Sequence, residues 1–174
     1  MAYTIQTPSL GFPPISSTLA NSTTMNAGGR VPGPNLGTIV HAVDPTYGAG
    51  EFIYLEGVAA TVVGSLVTYD VYLNTTTLAP ATGGKGMVAV AMSINLAGFK
   101  GWYQIQGIAA VKAPNAMTPG ADVFMLAATP GSVDDAQVNG EQVVNAVVST
   151  TTGTPSSGLG LIQINRPFLQ GQIV

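Results

Sequence analysis

Residues 50–73 read GEFIYLEGVAATVVGSLVTYDVYL, and their pattern decides the fold class. Phe52-Ile53-Tyr54-Leu55 is apolar at four consecutive positions between Glu51 and Glu56, as in a strand buried on both faces. From Leu66 the pattern alternates. Val67, Tyr69, Val71 and Leu73 share one face, while Thr68, Asp70 and Asn74 share the other. Period two with β-branched and aromatic residues predicts a half-buried strand. Gly57 and Gly64 punctuate the stretch as turns.

Working outward, further strands are expected over residues 38–43, 87–94, 102–111, 121–129, 142–149 and 159–165. A Pro-containing turn falls at 44–48, a loop at 74–86 and a turn at 95–100. In the 102–111 strand, Tyr103 and Ile105 take one face, and Gln104 and Gln106 point to water or a partner. No window carries a sustained 3.6-residue apolar pattern with caps, so no helix is expected. Many short strands with Gly and Pro turns define an all-β chain with a compact barrel or sandwich body.

The body also resembles itself. Gly57-Val58-Ala59-Ala60 matches Gly107-Ile108-Ala109-Ala110, and Gly64-Ser65-Leu66-Val67 matches Gly120-Ala121-Asp122-Val123. Two later blocks, around Ser93 and Ser149 and around Ile105 and Ile164, follow in the same order. Short, low-complexity matches of this kind arise by chance. If they are real, they describe two strand modules about a pseudo-twofold axis. The runs 88–92 and 143–148 are uncharged and β-prone, and are aggregation hazards as free edges. Lys85 and Glu141 stand before them, where gatekeeping charges are expected.

Residues 1–35 differ in composition from the body at 36–174. They hold five of the chain's twelve prolines, no acid and one base, Arg30. Proline removes donors and fixes φ, so this is an extended arm without independent helix or sheet. Composition alone fits a disordered tail equally well. Against that, Ile5, Leu10, Phe12, Ile15, Leu19 and Met25 are spaced along it, which favours an arm strapped onto a neighbouring subunit or larger surface.

Only five Lys or Arg and eight Asp or Glu occur in 174 residues, 7% of the chain against about 25% in ordinary soluble domains. Mean hydropathy is positive, yet Gly, Thr, Ser, Asn or Pro interrupts every run approaching about 18 apolar residues, so no membrane span is expected. The N-terminus lacks the basic and apolar regions of a secretory signal. Surface this poor in charge suits burial in an assembly. With no cysteine, disulfides and thiolate chemistry are excluded. The net charge of −3 and the scattered Arg30, Lys85, Lys100, Lys112 and Arg166 argue against nucleic acid.

The chemical motifs are weak. His41 with Asp44 lacks a nucleophile elbow, and a lone strand histidine is more often structural. Gly83-Gly84-Lys85-Gly86 fails the phosphate-loop spacing, with Ala79 and Gly86 at the required Gly and Ser/Thr positions. Asp122, Asp134 and Asp135 have no calcium-loop spacing. Asp44-x-x-Tyr47-Gly48 is similar to one segment of trimeric dUTP hydrolases, whose other motifs are missing. Trp102-Tyr103 would make a sugar platform if exposed, but aromatics in so apolar a strand more often serve a core or interface. No catalytic, cofactor-binding or metal-ligating residue is expected.

Residues 50–59 and 64–70, Gly101-Trp102-Tyr103-Gln104-Ile105-Gln106-Gly107, Gly131-Ser132-Val133-Asp134-Asp135-Ala136 and the ending Arg166-Pro167-Phe168 together resemble the capsid decoration, or cement, proteins of tailed phages. The resemblance spans roughly residues 36–168, and its motifs are structural. It implies a β-rich homotrimer on the outer surface of the virion, made in the bacterial cytoplasm, whose partners are its own copies and the major capsid protein. The contact residues expected are Phe12, Pro13, Pro14, Ile15 and Arg30 in the arm, with Arg166, Phe168 and Leu169 near the C-terminus. The competing expectation is a head fibre or carbohydrate-binding module contacting the host surface.

Overall fold

The computed structural model describes residues 1–6, 12–20 and 33–171. They form β1 (Thr4–Ile5), β2 (Thr18–Ala20), β3 (Ile39–Asp44), β4 (Gly48–Glu56), β5 (Leu66–Tyr69), β6 (Thr76–Leu78), β7 (Lys85–Ala91), β8 (Phe99–Lys112), β9 (Asp122–Met125), β10 (Val133–Asp134), β11 (Gln142–Thr150) and β12 (Leu159–Gln170). No helix occurs among the described residues, and the fold is all-β. The order is β1-β3-β4-β8-β7-β12-β11-β9-β10, with β2 added to β8, β5 to β7 and β6 to β5.

The sheet is antiparallel and does not close into a barrel. Closure would require its ends to pair, and its ends are β1 and β10, only two residues each. Such short edges leave few unpaired backbone groups. Compactness comes instead from two long strands that change partners. β8 pairs with β4 and β7 in its first half, and with β12 from Gln106 to Lys112. β12 leaves β8 at Asn165 and meets β7 from Phe168. Gly107 marks the turning point in β8, with φ 103° and a position where a Cβ would lie 2.5 Å from the Ala49 carbonyl oxygen. Only glycine meets both conditions cheaply.

The doubly apolar reading of residues 52–55 holds, because all four side chains are buried. Phe52 and Tyr54 join Trp102, Val40, Ala42, Tyr3 and Ile15 on one face. Ile53 and Leu55 join Tyr103, Ile105, Val67, Ala89 and Ala91 on the other. A third cluster, including Leu66, Val111, Met125, Val148, Ile162 and Leu169, fills the C-terminal half. Both hazardous apolar strands are interior: β7 pairs with β5, β8 and β12, and β11 with β9 and β12.

Several local expectations are corrected. The alternation from Leu66 stops at Tyr69, because the Asp70 Oδ1 accepts the amides of Tyr72 at 2.7 Å and Leu73 at 2.8 Å and bends the chain. The expected loop 74–86 contains β6. Gln104 is buried rather than facing water, its Nε2 donating to the carbonyls of Gln106 and Ile108. Glu141 is no surface gatekeeper. Its buried carboxylate accepts the Gly83 amide at 2.6 Å.

The internal sequence matches agree with the structure only in part. Residues 57–60 form a loop after β4, whereas residues 107–110 lie within β8. Gly64 and Gly120 do share a setting. The Gly64 amide donates to Ala91, which donates back to Ser65, as Gly120 does to Val148 and Val148 to Ala121. That likeness is local to the turns opening β5 and β9, and a repeat of the whole body is not established.

Candidate interaction surfaces

The described part of the N-terminal segment lies on the chain's own sheet. β1 pairs with β3, and β2 pairs with the start of β8. The Trp102 Nε1 donates to the Pro13 carbonyl oxygen at 3.0 Å, and the Phe12 ring stands 5.9 Å from the Trp102 ring. Ile15 is buried in the same cluster, together with Tyr3, whose ring meets Phe52 edge-on at 4.7 Å. Burial raises the Tyr3 phenol above its ordinary value, against the opposing hydrogen bond from Gln104. Tyr3 therefore stays neutral and donates to the Ile108 carbonyl at 2.8 Å. Of the five arm residues expected at a partner, four are described: Pro13 and Ile15 are buried, Phe12 is half-buried, and Pro14 is exposed. Arg30 lies outside the described residues.

The C-terminal trio separates by strand alternation. Phe168 and Arg166 are exposed, whereas Leu169 is buried in the C-terminal core. Leu169 closes against Gly84, where a Cβ would come within 2.7 Å of its Cδ1. Its side chain is thus engaged inside the chain. Arg166 adopts φ 47° where β12 changes partner, a conformation rare for a residue with a Cβ. Its Nη2 donates to the Glu51 Oε2 at 2.5 Å, tying β12 to β4.

The polar groups weighed in the sequence do not assemble a reaction centre. His41 points out from β3, with its Nδ1 3.9 Å from Glu51, while Asp44 is buried on the opposite face. The Asp44 Oδ1 accepts the amides of Thr46 at 2.8 Å and Tyr47 at 3.1 Å, and Oδ2 accepts the Ala2 amide. The buried Asp134 accepts from Asn115 Nδ2 at 2.6 Å, and Asp135 accepts from the Thr118 amide at 2.7 Å. Thr118 holds the Asp135 carboxyl below its usual range, through its side chain first and its amide second. No group of three or more His, Cys, Asp or Glu suited to a metal occurs among the described residues. An open polar cleft of about 410 Å³ is lined by Asp122, Phe124, Asp135, Gln137, Asn139 and Gln142.

The sequence reading missed a group of exposed apolar side chains. Val71, Tyr72 and Leu73 are exposed at the β5–β6 turn, and Ile94 and Leu96 at the β7–β8 loop. Both loops flank the end of β4. The Glu56 amide donates to the Asn74 carbonyl oxygen, and the next amide, Gly57, donates to Phe99. Ile39 and Val43 on the outer face of β3, and Val62 and Val63 before β5, add to the exposed apolar surface. A sequence signal existed, since residues 57–69, 71–84 and 86–99 contain no charge. Comparison with protein-family models and with curated proteins found no match.

Proposed function

We propose that the chain is a structural virion protein that decorates a tailed-phage capsid. As a homotrimer on the outer surface, it would stabilise the shell by bridging neighbouring copies of the major capsid protein. The observation carrying this reading is exposed apolar surface on a chain with 7% charged residues. A free monomer gains nothing from such a surface, whereas a subunit covered in an assembly does. The sequence resemblance over residues 36–168 is in keeping with this reading.

The mechanism is added buried area. A ligand that binds only the assembled shell stabilises it by mass action, and several modest contacts made together reinforce one another. Pro14, Arg166 and Phe168 are the expected contact residues whose side chains remain accessible. The test is the chain's copy number in purified particles, measured by quantitative mass spectrometry against the major capsid protein. Comparable numbers support decoration, a handful per particle indicates a fibre or vertex protein, and absence overturns the virion reading.

The polar cleft favours a second reading, a head-fibre or carbohydrate-binding module. That reading no longer draws on Trp102 and Tyr103, whose rings are buried. It requires glycan binding that is lost in Gln137→Ala and Asn139→Ala, the amides suited to sugar hydroxyls.

A further inference from the structure

Asn139-Gly140 is the one place in the chain where glycine follows asparagine, since each of the other eight asparagines precedes a residue with a Cβ. The pair holds the two central positions of the turn that leads into β11. The Val138 carbonyl accepts the Glu141 amide at 3.1 Å across it, and Gly140 takes φ 76°, which glycine adopts without steric cost. Asn139 is exposed, and both residues line the open polar cleft. Among the described residues, the Gly140 amide donates to no backbone carbonyl. Other asparagines are held in place. Asn115 Nδ2 donates to Asp134 at 2.6 Å, and Asn95 is fully buried.

We infer that Asn139 is a self-modification site, where the side-chain amide is lost to solvent as ammonia without the help of an enzyme. Hydroxide from solvent removes the Gly140 amide proton, and the nitrogen attacks Cγ of Asn139. A bond from that nitrogen to Cγ closes a cyclic imide as the Cγ–Nδ2 bond breaks, and Nδ2 leaves as ammonia with a proton from water. Water then opens the imide at one of its two carbonyls. Cleavage of the new bond gives aspartate, and cleavage of the original peptide bond gives isoaspartate, whose main chain runs through Cβ and Cγ. The sum is one water consumed and one ammonia released, with no change of oxidation state. Glycine makes the attack accessible, because a Cβ on residue 140 would crowd the nitrogen's approach. Opening the Val138–Glu141 hydrogen bond lets the chain swing that nitrogen toward Cγ.

The product changes the cleft. A side chain that both donates and accepts becomes a carboxylate that only accepts, in the same lining as Asp122 and Asp135. The net charge of −3 gains a further negative unit, set near two like charges. Isoaspartate also lengthens the main chain close to Glu141, whose carbonyl accepts the Met125 amide at 3.0 Å and whose carboxylate accepts the Gly83 amide at 2.6 Å. This chemistry depends on no partner of the proposed function.

The test incubates the purified full chain at physiological temperature and mildly alkaline pH, followed by isoelectric focusing and tandem mass spectrometry. Digestion at Glu141 places Asn139 and Asn145 on different peptides. An acidic band one charge from the parent should grow with time, with conversion located at Asn139 and ammonia released in equal amount. Protein isoaspartyl methyltransferase should label the same position. Asn139→Gln, whose longer side chain closes the ring far more slowly, should lose both the band and the label. Asn145, exposed on β11 but followed by Ala146, should stay unconverted over the same period. An Asn139 that remains an amide in the folded chain overturns the inference, whether or not the chain unfolded in urea converts. An acidic band that persists undiminished in Asn139→Gln places the loss elsewhere and overturns it as well.

Discussion

The indole Nε1 of Trp102 donates to the carbonyl oxygen of Pro13 at 3.0 Å, joining the middle of the sheet to a segment 89 residues earlier. A buried indole needs such a partner, and proline, lacking an amide hydrogen, still offers its carbonyl. With Phe12 and Ile15 beside it, the segment covers the aromatic face made by Phe52, Tyr54 and Trp102. Its described residues thus form a layer of the body, whatever else they touch.

Trp102→Phe keeps most of that packing and removes the donor, leaving the Pro13 carbonyl unpaired. It should lower stability by about 1–2 kcal/mol, seen as an earlier urea midpoint at unchanged slope. Trp102 is the chain's one tryptophan. Removing residues 1–16 should therefore shift its emission to the red, and an unshifted spectrum would show that the segment does not cover it. Removing the whole arm would also uncover this face, so loss of partner binding in that truncation cannot be assigned to contact. Pro14→Asp is the cleaner probe, since Pro14 is exposed.

Gly101→Ala tests the start of β8, one residue before Trp102. Asn95 is fully buried, with its side-chain amide filling the space a Cβ at Gly101 would take and its carbonyl lying against Gly57. The substitution should cost about 1–3 kcal/mol by overpacking. Adding Asn95→Ala relieves that clash, so the double variant should be more stable than the sum of the two single effects predicts. Strict additivity in thermal melts would refute the wedge.

Residues 52–55 made the all-β class readable, because a short run apolar on both faces between two glutamates fits a doubly covered strand. The cover itself was not readable. Nothing in residues 1–20 has strand periodicity, and the described ones among them pair in short pieces and satisfy an indole through a carbonyl that every residue carries. Gln104 was misplaced because alternation assigns a face but not what lies on it, and Tyr3 comes 101 residues earlier to meet it. The exposed apolar turn was hidden by its own regularity. Val71 and Leu73 continue the period of β5, and only the side chain of Asp70, bonding forward to two amides, turns them outward. Leu169 shows the converse, a residue marked for contact by its place near the chain's end but buried by the parity of β12.

Phe168 and Leu169 are adjacent, and their substitutions should separate contact from stability. Leu169→Ala removes a core side chain and should cost about 2–5 kcal/mol. Phe168→Ser should cost under about 1 kcal/mol, since only cross-strand contact is lost. On the proposed function, the Phe168 variant should melt normally while binding particles less well. Equal loss of stability in both variants would contradict the alternation.

Asp44 sets an acid limit on the fold. Burial alone would raise its carboxyl, but the amides of Thr46, Ala2 and Tyr47 outweigh burial and hold it below the ordinary value. Because the folded value lies below the unfolded one, near 3.9, the stabilisation is fully present above the unfolded value. It is lost as pH falls through the folded value. Urea midpoints should therefore hold through neutral pH and fall below about pH 4. Asp44→Asn keeps an oxygen for Thr46 and Tyr47 but gives up the charge that strengthens those bonds. It should be less stable than the wild type at pH 7, with a shallower decline in acid. If both proteins lose stability along the same slope, Asp44 does not contribute to that limit.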